Sequence, residues 1–359
     1  QYAKFKDRKT IIAGEYEITA RRMVLATGSR AKIPNIKGLD EVAYLTNETL
    51  FDLRKAPSHL AIIGGGPIGL EMAQAHARLG IKTTLIEMNR IMMGHERRFA
   101  EPVEQSLIND GVNILEKTFV NRVKKDKADI KLHLSSGKVL LVSDLLIAAG
   151  RVPNIEQLDL ETAGVKYNEF GITVDRNLRT TNKLVYAIGD IVKGSRFTHT
   201  ASYHAGIVLK KILLGLPSKL RTDHIPQVTY TDPEIASVGM NFEDAVKRFG
   251  KKIERSCVNL KNNDRAITDS KTEGFVEVIL LGKKVIGCSI TSKNAGELIS
   301  FWAFVIAKNI KISSINAMIP PYPTLGEINK RVVSEYYAPK FFGNKILKYY
   351  VGIIQRFSK

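Results

Sequence analysis

The sequence predicts an α/β fold followed by a smaller α+β domain, on three observations. A strand, glycine turn, helix and second strand run from His59 to Arg90. Two further apolar runs, Met23-Val24-Leu25-Ala26 and the start of Leu184–Asp190, each stop at a glycine, as buried parallel strands do. From about His224 the chain alternates β-type runs with helices in a different composition, which reads as a separate α+β domain.

The His59–Arg90 stretch organises the rest. His59 to Ile63 is the first strand. Gly64-Gly65-Gly66-Pro67-Ile68-Gly69 fits G-x-G-x-x-G. Gly64 permits the tight turn, a side chain at Gly66 would hold the backbone off a pyrophosphate, and Gly69 lets the helix approach the strand. Pro67 has no N–H to lose at a helix start. Ile68, Met72, Ala75 and Leu79 recur at helical spacing and give one apolar face, with Gly80 as C-terminal cap. Lys82 to Ile86 is the second strand. Glu87 closes it, 18 residues past Gly69, where a dinucleotide fold places the carboxylate that holds ribose hydroxyls. A carboxylate there repels a 2′-phosphate, so NAD is expected over NADP.

In chain order, Thr10–Ile12 and Tyr16–Ile18 predict a hairpin around Ala13-Gly14. Thr46–Lys55 is a short helix candidate. Helix signals return over Phe99–Asp110 and end at Gly111. Strands are expected at Asn113–Leu115, at Ile130–Leu134, and as one run over Val139–Ala149 after a turn at Ser135-Ser136-Gly137. Leu184–Asp190 presents the carboxylate of Asp190 at a strand end, the edge where open α/β sheets bind ligands. Helices are expected at about Thr200–Leu214, Asn294–Lys308 and Leu325–Tyr337, with strands at Gly274–Leu281 and Lys284–Ile290.

A chain of 359 residues has room for two or three domains, and its 44% hydrophobic and 25% charged residues are ordinary for a globular protein. No apolar run approaches the ~18 residues of a membrane span, and no signal-peptide pattern is present. Cys257 and Cys288 are the only cysteines and fit no metal or redox spacing, so no metal is expected and a reducing, cytoplasmic setting is. The net charge of +18 fits nucleic acid, anionic membranes or anionic cofactors. No nucleic-acid motif accompanies it, so a dispersed basic surface is preferred.

These residues resemble the flavin-dependent pyridine nucleotide-disulfide oxidoreductases, the group of dihydrolipoamide dehydrogenase, glutathione reductase and mercuric reductase. Ala26-Thr27-Gly28 is similar to the family's turn beside the flavin. Ala149-Gly150-Arg151-Val152-Pro153-Asn154 resembles its crossover segment. Ala187-Ile188-Gly189-Asp190 resembles the element whose acid binds the flavin ribitol, and Phe197-Thr198-His199 its flavin-contacting segment. Thr231–Gly239 resembles the start of its dimerisation domain. Asp264-Arg265-Ala266 and Pro321–Glu327 are most similar to the mercuric-reductase-like branch.

The resemblance implies tandem Rossmann-like dinucleotide-binding domains plus a C-terminal α+β dimerisation domain. Residues 1–57 and 151–222 would be an incomplete FAD-binding domain, 58–150 the NAD-binding domain, 223–338 the dimerisation domain and 339–359 a basic amphipathic tail. The expected cofactors are FAD and NAD. The expected cofactor-binding residues are Ala26, Thr27, Gly28, Gly64, Gly65, Gly66, Pro67, Ile68, Gly69, Glu87, Val120, Gly150, Asp190, Phe197, Thr198 and His199. Arg151 and Arg265 are expected to be structural or interfacial. Glu71 would pair with a lysine near the flavin or stay a surface glutamate. A homodimer is implied.

Two departures are expected. The family's opening flavin-binding unit and C-x-x-x-x-C pair are not found, and Gln1 falls roughly where they end. That leaves three possibilities: a flavin-poor chain, a separate chain that supplies the first half, or a non-catalytic remnant of a split or truncated gene. In addition, Tyr322 and Glu327 stand where dithiol-handling members carry a histidine base and its orienting glutamate. A phenol titrates near ~10 and is a poor base at neutral pH, so a mercuric-reductase-like or transhydrogenase-like enzyme is preferred to a dihydrolipoamide dehydrogenase. The tail has the basic amphipathic pattern of membrane-surface helices, with docking on its own domain the preferred alternative.

Overall fold

The computed structural model describes residues Tyr2 to Phe357, the side chain of Phe357 excepted; Gln1, Ser358 and Lys359, which the expected domains include, lie outside. Among the described residues eight α-helices form: α1 (Pro67–Arg78), α2 (Arg97–Asn109), α3 (Thr198–Leu214), α4 (Phe242–Phe249), α5 (Asp264–Thr268), α6 (Ala295–Ala307), α7 (Glu327–Phe342) and α8 (Lys345–Phe357). The chain divides into two units. The first takes residues 1–69, 85–88 and 117–222; the second takes 70–84, 89–116 and 223–359.

In the first unit, parallel pairing joins Asp144–Ile147 to Leu60–Ile63, and Val185–Ala187 to Met23–Leu25. Three of these strands are short and largely apolar and buried, as parallel strands covered on both faces must be, whereas Met23–Leu25 leaves Val24 exposed on one face. An antiparallel meander follows the order Val120–Asp126, Asp129–Leu134, Val139–Val142. The N-terminal hairpin forms as expected and gains a third strand, Ala3–Phe5. One core gathers Met23, Leu25, Val185 and Ala187 with Ile207 and Val208 of α3.

In the second unit, five antiparallel strands form one sheet in the order Gln227–Thr229, Glu234–Gly239, Lys284–Ser292, Phe275–Leu281, Ile253–Asn259. Helices α6 and α7 supply Trp302, Ile299, Ile328 and Val332 to its core. The Trp302 indole donates to Asn329 Oδ1 at 2.8 Å, so its one polar atom is satisfied while the ring is fully buried.

Two expectations are corrected. Thr46–Lys55 forms only a 3-10 turn, Leu50–Asp52, because the chain leaves the helical region at Leu53, where ψ is 128°. Val139–Ala149 is two strands, not one, broken at Ser143, whose hydroxyl bonds to His59 O and Asp144. The buried face of α1 is Leu70, Ala73 and Gln74, whereas Leu79 is 76% exposed. Both faces of that helix are apolar enough to carry a helical period, so spacing alone cannot choose between them.

Candidate functional site

The glycine turn lies in the first unit. Gly64 has φ +118°, and a Cβ there would lie 2.4 Å from Ala148 O. A Cβ on Gly69 would lie 1.8 Å from Gly64 O. Both positions therefore exclude a side chain through the fold itself. Gly66 differs: a Cβ there meets nothing within 4 Å. Its missing side chain leaves open space in front of the turn, the cradle a pyrophosphate requires. The first turn of α1 carries no acid, which leaves the positive end of its backbone dipole free of a charge from the helix itself. Glu87 reaches the same turn, its Oε2 accepting from Gly65 N–H at 2.7 Å. The donors, the open cradle and the carboxylate fit a dinucleotide. Pro67 and Ile68 begin α1. Val120 is buried at the start of its strand.

A second cluster forms around Ala26-Thr27-Gly28 in the same unit. The parallel register Ala187↔Leu25 brings Asp190 beside this turn, as the sequence implied. Ser29 donates to Asp190 Oδ2 at 2.5 Å, and Arg151 Nε donates to Ser29 Oγ at 2.7 Å and lies 3.6 Å from the same carboxylate oxygen. Arg151 is thus the brace of the Asp190 carboxylate. Asn154 clasps the turn by donating to Thr27 O at 3.0 Å and accepting from the Thr27 hydroxyl through its own carbonyl at 2.6 Å. Gly28 (φ +72°) and Gly150 (φ +106°) have open space at their Cβ positions. The Phe197 and His199 rings stack at 5.2 Å at the start of α3, next to Thr198.

Sequence reasoning missed Ser29 and His204. His204 is buried on α3 and its Nδ1 accepts from Gly189 N–H at 3.2 Å, which fixes the peptide leading into Asp190. Burial lowers its pKa, consistent with a neutral ring that accepts there. No local pattern signals this bond; only the return of α3 over the strand end creates it.

Three expected residues fall in the second unit. Glu71 is half-buried and accepts from Tyr230 N–H at 2.9 Å, with its carboxyl pushed up by burial. Tyr322 is 72% exposed and donates to Asp264 Oδ2 at 3.0 Å, which raises the phenol above its ordinary range. Glu327 instead begins α7 and pairs with Arg331 at 3.5 Å. Asp264, not Glu327, is therefore the hydrogen-bond partner of Tyr322. Arg265 pairs with Asp269 at 2.9 Å, in keeping with a structural part.

Comparisons with known proteins fit this arrangement. Residues 1–205 match the family described as pyridine nucleotide-disulphide oxidoreductase, and residues 225–332 match its dimerisation domain. Mercuric reductase of Bacillus cereus is 33% identical over 90% of this chain, and the chain spans 52% of its length. Dihydrolipoyl dehydrogenase of Geobacillus stearothermophilus is 32% identical over 86% of the chain and 67% of its own length. The HOCl-induced flavoprotein disulfide reductase RclA of Escherichia coli superposes with a TM-score of 0.83 at 27% identity, covering 92% of this chain and 78% of that one. Tandem Rossmann-like domains with a C-terminal dimerisation-type domain are therefore the fold.

Proposed function

Because this chain belongs to the pyridine nucleotide-disulphide oxidoreductase family, we propose that it binds a nicotinamide dinucleotide at the Gly64–Gly69 turn and works in a flavin-dependent, mercuric-reductase-like oxidoreductase. The observation that carries this is the open cradle at Gly66 with the Glu87 carboxylate at its rim. The turn and the start of α1 would hold the pyrophosphate, and Glu87 the ribose hydroxyls. Ala26–Gly28, braced Asp190 and the Phe197–His199 segment would hold the ribityl side of FAD. When bound, the flavin supplies the hydride acceptor; these residues supply position and charge. The boundary before 223–338 is supported by the extents of the two family matches; the division of the preceding part into 1–57 with 151–222 and 58–150 rests on its two separate turns, Ala26–Gly28 and Gly64–Gly69. A homodimer through the last of these, in a cytoplasmic setting, completes the proposal.

NADH is expected to bind more tightly than NADPH. Glu87→Gln keeps an acceptor for Gly65 N–H but removes the charge. It should narrow that preference by about tenfold to a hundredfold, the worth of a charged hydrogen bond. Parallel calorimetric titrations decide it: an unchanged ratio in the variant means that Glu87 does not read the ribose.

Tyr322 favours a metal ion, or an acceptor that needs no base, over a dithiol. Its phenol already donates to Asp264, and the acid holds the proton on it. In the flavin-loaded assembly, dihydrolipoamide turnover is expected to be low. Tyr322→His should raise it by roughly 10²–10⁴, the usual worth of general-base help. Brisk turnover by the unaltered protein, unmoved by the histidine, contradicts this reading.

A further inference from the structure

Helix α8 carries a pattern that no part of the dinucleotide chemistry uses. Around its axis, Lys345, Lys348 and Arg356 share one arc with Gly352 and Gln355. Ile346, Leu347, Tyr350, Val351, Ile353 and Ile354 fill the opposite arc, which is about 160° wide. The apolar arc is not buried in its own unit. Ile346 is 81% exposed and Tyr350 58%, while Leu347 and Ile353 are half-buried. The expected docking of the tail on its own domain is seen at its start, where Lys340 meets Glu254, and only in part along this arc. The first part of that tail is the end of α7, where Phe341 and Phe342 are exposed and Lys340 is committed to Glu254 at 2.7 Å and to the Tyr336 ring. Residues 339–357 contain no acid.

We infer that α8 docks on an anionic lipid surface, with its apolar arc entering the headgroup boundary. Charge complementarity selects this occupant. Lys345, Lys348 and Arg356 lie on the polar arc, the arrangement of interfacial helices, and their long stems bring the charges back toward lipid phosphates as the apolar side chains enter. The α8 of a second copy is the poorer cover, since it brings an equally basic helix with no acid to meet these cations. A neutral protein groove would leave Lys345, Lys348 and Arg356 without anions.

The test is co-sedimentation of the full chain with vesicles of phosphatidylglycerol and phosphatidylcholine, against vesicles of phosphatidylcholine alone. Binding should need the anionic lipid and weaken as salt screens the cations. Lys345→Gln with Lys348→Gln should weaken it about 25-fold, at about fivefold for each cation near the surface. Ile346→Asp with Tyr350→Asp should abolish it while circular dichroism and NADH binding stay unchanged. The glutamine pair lies on the solvent arc and carries the test if the aspartates disturb the fold. Equal binding to both vesicle types, no binding to either, or full binding by the charge variant overturns the inference. So does a concentration-dependent dimer that the aspartate pair dissociates, because a second copy then covers the arc.

Discussion

Gly69→Ala should cost about 3 kcal/mol, the upper part of the range for overpacking, and abolish NADH binding with it. The new methyl would stand 1.8 Å from Gly64 O, and backbone cannot swing aside as a side-chain tip can. Either α1 retreats from the strand His59–Ile63 or the turn opens; both destroy the cradle. Gly66→Val is the control that separates folding from binding. A Cβ there meets nothing within 4 Å, so thermal stability should stay within about 0.5 kcal/mol, as for surface changes. It fills the space the pyrophosphate needs, so NADH binding should still be lost. A Gly66→Val chain that binds NADH normally would place the cofactor elsewhere.

Arg98→Met should be the most destabilising single substitution away from the turn, by about 3–5 kcal/mol. Glu277 lies on the strand Phe275–Leu281 and is 1% exposed. Arg98 donates to its Oε2, with Arg255 Nη1 at 3.7 Å as a weaker second cation. The Arg98 guanidinium also donates to Glu96 at 3.0 Å and lies over the Phe99 and Phe275 rings. Removing it strands a buried carboxylate. Burial already pushes the Glu277 carboxyl up, and Arg98 opposes that shift. The folded variant should thus bind the Glu277 proton more tightly than the unfolded chain. Its deficit is then greatest at neutral pH and shrinks as acid protonates Glu277. Adding Glu277→Leu should recover most of the loss, because an apolar pair of similar volume is often neutral. Urea melts of the single and double variants at two pH values measure both effects. A deficit independent of pH would show that lost packing, not the stranded charge, is the cause.

The local parts of this architecture were legible because their signals are local. The glycine turn with the acid closing the next strand, the hairpin over Thr10–Thr19 and the strand ends at Gly28 and Gly189 are each written in one continuous stretch of the chain. What escaped depends on chain return. Ser29 meets Asp190 across 161 positions, Tyr322 meets Asp264 across 58 and Arg98 meets Glu277 across 179. None has a spacing that a pattern could detect. Helix α1 was found from its pattern, but its buried face was not, because a period reports that a face exists and not which neighbour covers it. Helix α8 shows the converse: its amphipathic arcs are plain in the sequence, and only the structure shows the apolar arc facing solvent.

The central claim is that the Gly64–Gly69 turn, with Glu87, is a working nicotinamide-dinucleotide site. Titration of the folded chain with NADH, followed by calorimetry, tests it most directly. The expected result is saturable binding of one NADH per chain, lost in Gly66→Val without loss of stability. Absence of saturable binding by the unaltered, folded chain would contradict the account.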